Sequence, residues 1–200
     1  MSETSGSHPI PQRLLDAALE AATVHGISKL AMGDVARRAE LSRQTLYRYY
    51  PSKDALVTAV VTAETTKLID QVVAAAVAHT DPQASLEAGL FTALTVLRDH
   101  PLLDRLVRTE PEALLPLLTT DSSPVMVQVR AVVEAILAEG NPDLTQDPVA
   151  LRRFADVVTR LLVSYAVSAP DDPPEVVAQF LSTFLVHGAV ASGSNLEAAP

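Results

Sequence analysis

The 200-residue sequence predicts an all-α protein. Three observations carry that expectation: recurring helix-start signals, apolar residues repeating near every 3.6 positions, and no strand-like alternation bounded by hairpin turns. The start signals are Asp81-Pro82, Ser123-Pro124, Asp147-Pro148 and Asp172-Pro173, with Pro174 after the last. Asp and Ser accept hydrogen bonds from the free N–H groups of a first helical turn, and a proline at that point loses nothing by lacking an N–H. The periodicity is clear in 148–169, where Leu151, Phe154, Val158, Leu161, Leu162 and Tyr165 share a face, while Arg152, Arg153, Asp156 and Arg160 lie elsewhere. In 173–190, Val177, Phe180, Leu181, Phe184 and Gly188 are expected to share one likewise. Helices are expected over 11–25, 32–39, 42–49, 52–79, 82–99, 101–108, 111–118, 123–139, 148–169 and 173–190, with loops at 119–123 and 140–146.

Apolar residues make up 48% of the chain, enough for a sizeable core. The longest unbroken apolar run, Val72 to Ala78, falls far short of the roughly 18 residues a membrane span needs. The first ten residues lack the basic start and apolar stretch of a signal peptide and read as a disordered lead, which fits a cytoplasmic protein. The absence of cysteine excludes disulfides, thiolate metal sites and cysteine nucleophiles. His8, His25, His79, His100 and His187 never stand three or four residues apart, so no metal site is expected. No nucleophile–base pair, metal spacing or glycine-rich phosphate loop is present; no enzyme activity and no cofactor are expected.

The net charge of −9 speaks at first against nucleic acid, but its distribution does not. Residues 1–54 hold seven basic and six acidic side chains, residues 55–200 eight and eighteen, and residues 27–54 alone carry six against three. A small basic module on an acidic body suits a specific DNA binder, because phosphate attraction is local and fades over about 8–10 Å in physiological salt.

That module has the pattern of a helix-turn-helix. The first helix offers Leu15, Ala18, Leu19 and Ala22 as an apolar stripe and stops at Gly26. The second turns Val35, Ala36 and Ala39 inward, with Ala36 small enough for a close crossing. Ser42 caps the third, RQTLYRYY. At about 100° per residue, Leu46, Tyr49 and Tyr50 fall on a packing side, and Arg43, Gln44, Tyr47 and Arg48 on the opposite one. Arg can take guanine O6 and N7 together, and Gln can pair with adenine N6 and N7. Thr45, between the faces, reaches toward a phosphate or thymine methyl, and the Tyr47 hydroxyl can donate to a phosphate. Ser52 then caps a long helix whose first N–H groups, with Lys53, suit a backbone phosphate.

From Gly26 to Leu56, and above all in LSRQTLYRYYPSKDAL at 41–56, the sequence resembles the DNA-binding domain of the TetR family of one-component repressors. The resemblance rests on Ala36, Tyr47, Arg48, Tyr49, Tyr50 and Lys53. It implies an N-terminal three-helix helix-turn-helix domain joined to a larger helical ligand-binding and dimerisation domain. It further implies a homodimer, a palindromic operator, and release from DNA when a small ligand enters the C-terminal domain. Ser42, Arg43, Gln44, Thr45, Tyr47, Arg48 and Lys53 are the expected DNA-binding residues. Two features depart from the pattern: Ala31-Met32-Gly33 stands where relatives often place Thr and a basic residue, and no basic residue precedes Arg13. Few DNA contacts from the second helix, and no minor-groove arm, are expected.

The domains are expected at 11–54 and 55–190, with a disordered tail over 191–200. Candidate ligand-pocket residues are Phe91, Leu94, Leu97, Leu103, Met126 and Phe154, each also a plain core candidate. Without Trp, and with four Phe and four Tyr, the chain lacks an evident cage for a cation, which favours a small apolar or acyl-type ligand. Arg98, Arg105 and Arg108 could meet an acidic ligand group, but salt bridges with Asp99, Asp104, Glu110 and Glu112 are favoured. Dimerisation is expected through 148–190, where Ser164, Ala166, Ala178, Ser182, Gly188 and Ala189 permit close helix approach. The rival to a ligand-released repressor is an architectural or division-associated DNA-binding protein without a small-molecule ligand.

Overall fold

The computed structural model describes residues 8–114, 124–140, 147–168 and 170–196. The regular structure of these residues is helical, with no strand among them. The helices are α1 (Ile10–His25), α2 (Met32–Arg38), α3 (Arg43–Tyr49), α4 (Lys53–Val77), α5 (Pro82–Asp99), α6 (Pro101–Thr109), α7 (Pro124–Gly140), α8 (Pro148–Val167) and α9 (Pro174–Leu196). A further helical turn occupies 111–114. Residues 1–7 of the expected 1–10 lead, 115–118 of the expected 111–118 helix, the 119–123 loop and most of the 140–146 loop lie outside the described residues, and α1 already begins at Ile10.

The capping logic holds at Asp81 and Asp147. Asp81 accepts from the Ala84 N–H at 2.8 Å, and Asp147 accepts from Val149 and Ala150 at 2.9 and 3.0 Å. At the last helix the start shifts: α9 begins at Pro174, and the Pro173 carbonyl, rather than Asp172, receives the Val176 and Val177 N–H groups. Its end also differs, for 191–196 is helical where a disordered tail was expected.

The chain divides into two compact units, Met1–Glu64 with Pro101–Pro116, and Thr65–His100 with Leu117–Pro200. The first therefore exceeds the expected 11–54. The reason is packing: α4 continues unbroken past residue 54 with Leu56 and Val60 buried in this unit, and α6 packs on α1 through buried Leu102 and Leu106. Because α2 and α6 both cover α1, its buried stripe is Leu14, Ala17, Ala18, Ala21 and Ala22. Leu15 and Leu19, expected on that stripe, are only half-buried.

The second unit is a bundle in which α9 packs on α5, α8 packs on α7, and α5 also meets α7 and α8. Leu86, Leu90 and Leu94 of α5 share a core with Leu137 of α7, with Leu151, Ala155 and Val158 of α8, and with Val177, Ala178, Leu181 and Leu185 of α9. Ala178 and Ser182 are fully buried, and the Ser182 hydroxyl donates to the Gln179 carbonyl at 3.0 Å and lies 3.3 Å from a Glu87 carboxylate oxygen. These two small residues thus seat α9 on its own chain, which corrects their expected use in dimer contact. Phe180 and Phe184 were expected on the face of Val177 and Leu181; they are 67% and 62% exposed, stacked with ring centroids 6.3 Å apart.

Candidate nucleic-acid interface

The first unit builds its helix-turn-helix around α2, α3 and the turn between them. Val35, Ala36, Ala39 and Leu46 are buried, so α3 is fixed on α2 by one large side chain and three smaller ones. The turn places Glu40 at φ 55°, a left-handed conformation that costs a non-glycine residue about 1–2 kcal/mol. Compensation comes from the Leu41 N–H on the Ala36 carbonyl (2.9 Å) and from Arg13, whose guanidinium donates to the Ala39 carbonyl at 2.6 Å. Ser42 caps α3 by accepting from the Thr45 N–H at 3.1 Å, and its hydroxyl meets that of Thr45 at 2.9 Å.

With Leu46 inward, α3 leaves Arg43, Gln44, Tyr47 and Arg48 exposed, with Ser42 exposed before it and Thr45 half-buried. Tyr49 was expected to pack; it is 39% exposed and lies beneath the Arg48 guanidinium, 5.3 Å from the ring centroid. Tyr50 does turn inward to half-burial, and burial pushes its hydroxyl pKa up.

Gly33 acquires a use the sequence did not reveal. A Cβ at that position would stand 2.6 Å from Cζ and 2.7 Å from Nε of Arg43. The Arg43 side chain therefore lies across the bare backbone at the start of α2. The two arginines of α2 are paired, Arg37 with Asp34 at 2.8 Å and Arg38 with Glu20 at 2.5 Å.

At the start of α4, Ser52 caps by accepting from the Ala55 N–H at 3.1 Å. Lys53 donates its Nζ to the Ser28 carbonyl at 2.7 Å. Ser28 is held from its other side by Glu110, whose carboxylate accepts from the Ser28 N–H at 2.9 Å and the Ser28 hydroxyl at 2.8 Å. Gly26, at φ 88°, shapes this turn: a Cβ there would overlap the carboxylate, with Glu110 Cδ only 2.8 Å away. Burial pushes the Glu110 carboxyl up, but bonds from Ser28 and the Ile27 backbone, with the charge of Arg105, outweigh it and hold the group below the usual carboxylate range. From the sequence, Glu110 is expected only as a salt-bridge partner of Arg98, Arg105 or Arg108. Its single signal was an acid before Pro111, where no spacing pointed back 82 residues to Ser28.

The three arginines of 98–108 part company. Arg108 pairs with Asp104 at 2.6 Å, Arg98 donates to the Pro170 carbonyl at 2.9 Å, and Arg105 faces Glu110. Of the pocket candidates, Leu94 and Met126 are buried, Phe154 packs on the second core, Leu97 is half-buried and Phe91 is 37% exposed. Leu103 belongs to the first unit, apart from the other five. No group of three or more His, Asp or Glu fit to hold a metal occurs among the described residues, and no helix among them is long and apolar enough to cross a membrane.

An exposed polar recognition helix on a buried helix-turn-helix core, followed by a helical bundle, defines a DNA-binding transcriptional regulator. Residues 14–60 match the bacterial regulatory proteins of the tetR family, and residues 81–187 match the bacterial tetracyclin repressor C-terminal domain. The chain belongs to the TetR family. Among its relatives, the uncharacterised HTH-type transcriptional regulator Rv1255c of Mycobacterium tuberculosis is 28% identical over 190 residues, covering 90% of this chain and 87% of that protein. The regulator AlkX of the same organism is 28% identical over 81% of this chain and 75% of its own length. Among solved structures, the fold resembles the AlkX repressor of Dietzia sp., implicated in n-alkane biodegradation (TM-score 0.72, 23% identity, 94% of this chain and 98% of that one). It also resembles the fatty acid degradation regulator FadR of Bacillus halodurans (TM-score 0.66, 15% identity, 90% and 96%).

Proposed function

We propose that this regulator is a repressor that grips an inverted-repeat operator as a homodimer and is released by a small apolar or acyl-type ligand. The observation that carries the reading is the exposed face of α3, with Arg43, Gln44, Tyr47 and Arg48 outward while Leu46 anchors the helix. Arg43 and Gln44 read base edges; Ser42, Thr45, Tyr47, Arg48 and Lys53 hold phosphates. One such helix offers too few reading groups to select a site among a genome's competitors, so two copies act together.

The second unit supplies dimerisation and ligand binding in this reading. Dimerisation through 148–190 is supported by the apolar side chains that α8 and α9 leave in water: Val149, Val157, Val176, Phe180 and Phe184. Exposed large apolar side chains, two of them stacked on each other on α9, suit an association surface. The acyl-type ligand draws support from the apolar interior of the bundle and from the n-alkane and fatty acid roles named for AlkX and FadR. Ligand releases DNA by favouring a spacing of the two α3 helices that the operator does not fit.

The test is geometric. A two-fold dimer needs half-sites about one helical turn apart, roughly 34–36 Å. Inserting about 5 base pairs between half-sites turns one of them to the opposite face of the duplex, and binding should collapse. Retained affinity would show that each subunit binds alone, and the symmetric repressor would be ruled out.

A further inference from the structure

We propose that Glu110 is a positioning residue for DNA binding: through Ser28 it fixes the carbonyl that holds Lys53, and so ties the 101–114 segment to the grip on phosphate. The inference rests on the reading of Lys53 as a phosphate contact.

Glu110 is 6% exposed, so its carboxylate is almost removed from water and must find donors within the protein. It finds them in the Gly26–Ser28 turn: the Ser28 N–H, the Ser28 hydroxyl and the Ile27 backbone. The turn is shaped around the carboxylate, since Gly26 adopts φ 88° and has no room for a Cβ. The Ser28 carbonyl receives Lys53 Nζ at 2.7 Å. An ammonium carries three donors, so one spent on Ser28 leaves two for a phosphate. A free lysine side chain loses rotamer freedom when it binds; one already tethered has lost part of it before DNA arrives. Glu110 contributes no DNA contact itself. It holds the peptide that holds the lysine.

The test is a double-mutant cycle on the full chain, with the probe a duplex selected by the wild-type protein from a random-sequence pool. Lys53→Ala should lower the salt slope of binding by about one, so that between roughly 50 and 200 mM salt the wild type loses about 3- to 4-fold more affinity than this variant. Glu110→Ala, which leaves the ammonium in place, should weaken binding several-fold with little change of slope. In the Lys53→Ala background, Glu110→Ala should add less than about a twofold loss, because the two act on one contact. An equal loss from Glu110→Ala in both backgrounds would make it a staple of the fold and overturn the inference alone. An unchanged slope in Lys53→Ala would instead remove the phosphate assignment of Lys53, and the inference with it. If circular dichroism shows Glu110→Ala unfolded, Ser28→Ala, which takes away only the hydroxyl bond, enters the same cycle, and an additive loss there overturns the inference equally.

Discussion

Replacing Phe180 with alanine should weaken the proposed dimer while leaving the fold of each protomer intact. Phe180 and Phe184 stand 67% and 62% exposed on α9, with their rings stacked. Fully burying a phenylalanine is worth about 1.5–3 kcal/mol relative to leaving it in water. With two-thirds of Phe180 still uncovered, a second copy closing over it recovers about 1–2 kcal/mol. In a two-fold interface the residue counts twice, giving about 2–4 kcal/mol. At about 1.4 kcal/mol per tenfold, the dimer Kd rises roughly 30- to 700-fold. Sedimentation equilibrium over a range of concentrations measures this directly, with Val24→Ala as a control at an exposed apolar residue of the first unit. Operator affinity should fall in step, because a lone subunit reads only one half-site. An unchanged Kd for Phe180→Ala together with Phe184→Ala would refute the reasoning: the interface would not use this face of α9.

Arg43→Ala should cost about 1–3 kcal/mol on the operator and relax base preference at one position in each half-site; Gly33→Ala, which pushes the Arg43 side chain aside, should alter preference at that same position, as selection from random duplexes will show. Thr159 is 1% exposed and its hydroxyl has no hydrogen-bond partner among the described residues, so the isosteric Thr159→Val should stabilise the chain. A gain of about 1 kcal/mol would raise Tm by roughly 2–4 °C, and a fall in Tm would mean the hydroxyl has a partner. Glu110, with its native pKa lowered, contributes stability that is present above its ordinary value of 4.5 and is lost as pH falls through the lowered native value. Stability measured by denaturant titration should therefore fall more steeply with pH below about 4.5 in the wild type than in Glu110→Gln, which should be the less stable of the two at neutral pH and draw level in acid.

The two units carry different kinds of constraint. In the first, a charged side chain is buried at the junction of Gly26–Ser28 and 110, and removing one partner strands the other. Losing the carboxylate leaves the Ser28 N–H and hydroxyl without a partner, whereas an exposed pair such as Arg37–Asp34 is worth about 0–1 kcal/mol. In the second, apolar packing of α5 on α9 dominates, and the polar atoms within it are few.

The sequence by itself determined what depends on neighbours along the chain. Caps at Ser42, Ser52, Asp81 and Asp147 were legible because a capping side chain reaches an N–H only two or three residues away. The outward set Arg43, Gln44, Tyr47 and Arg48 was legible because 3.6-residue periodicity separates it from Leu46. The tertiary structure decided what depends on distant partners. The directions from which α2 and α6 meet α1 decide which stripe it buries, which is why Leu14, Ala17 and Ala21 joined the α1 core while Leu15 and Leu19 stayed half-buried. On α9, periodicity allowed Phe180 beside Leu181, but the line of approach of α5 chose Val177, Ala178, Leu181 and Leu185 and left both phenylalanines in water. Gly33 and Glu110 became meaningful only when Arg43 and Ser28 were brought to them through space. A contact between residues 82 apart leaves no periodic or capping trace, because neither residue's local backbone preference depends on the other.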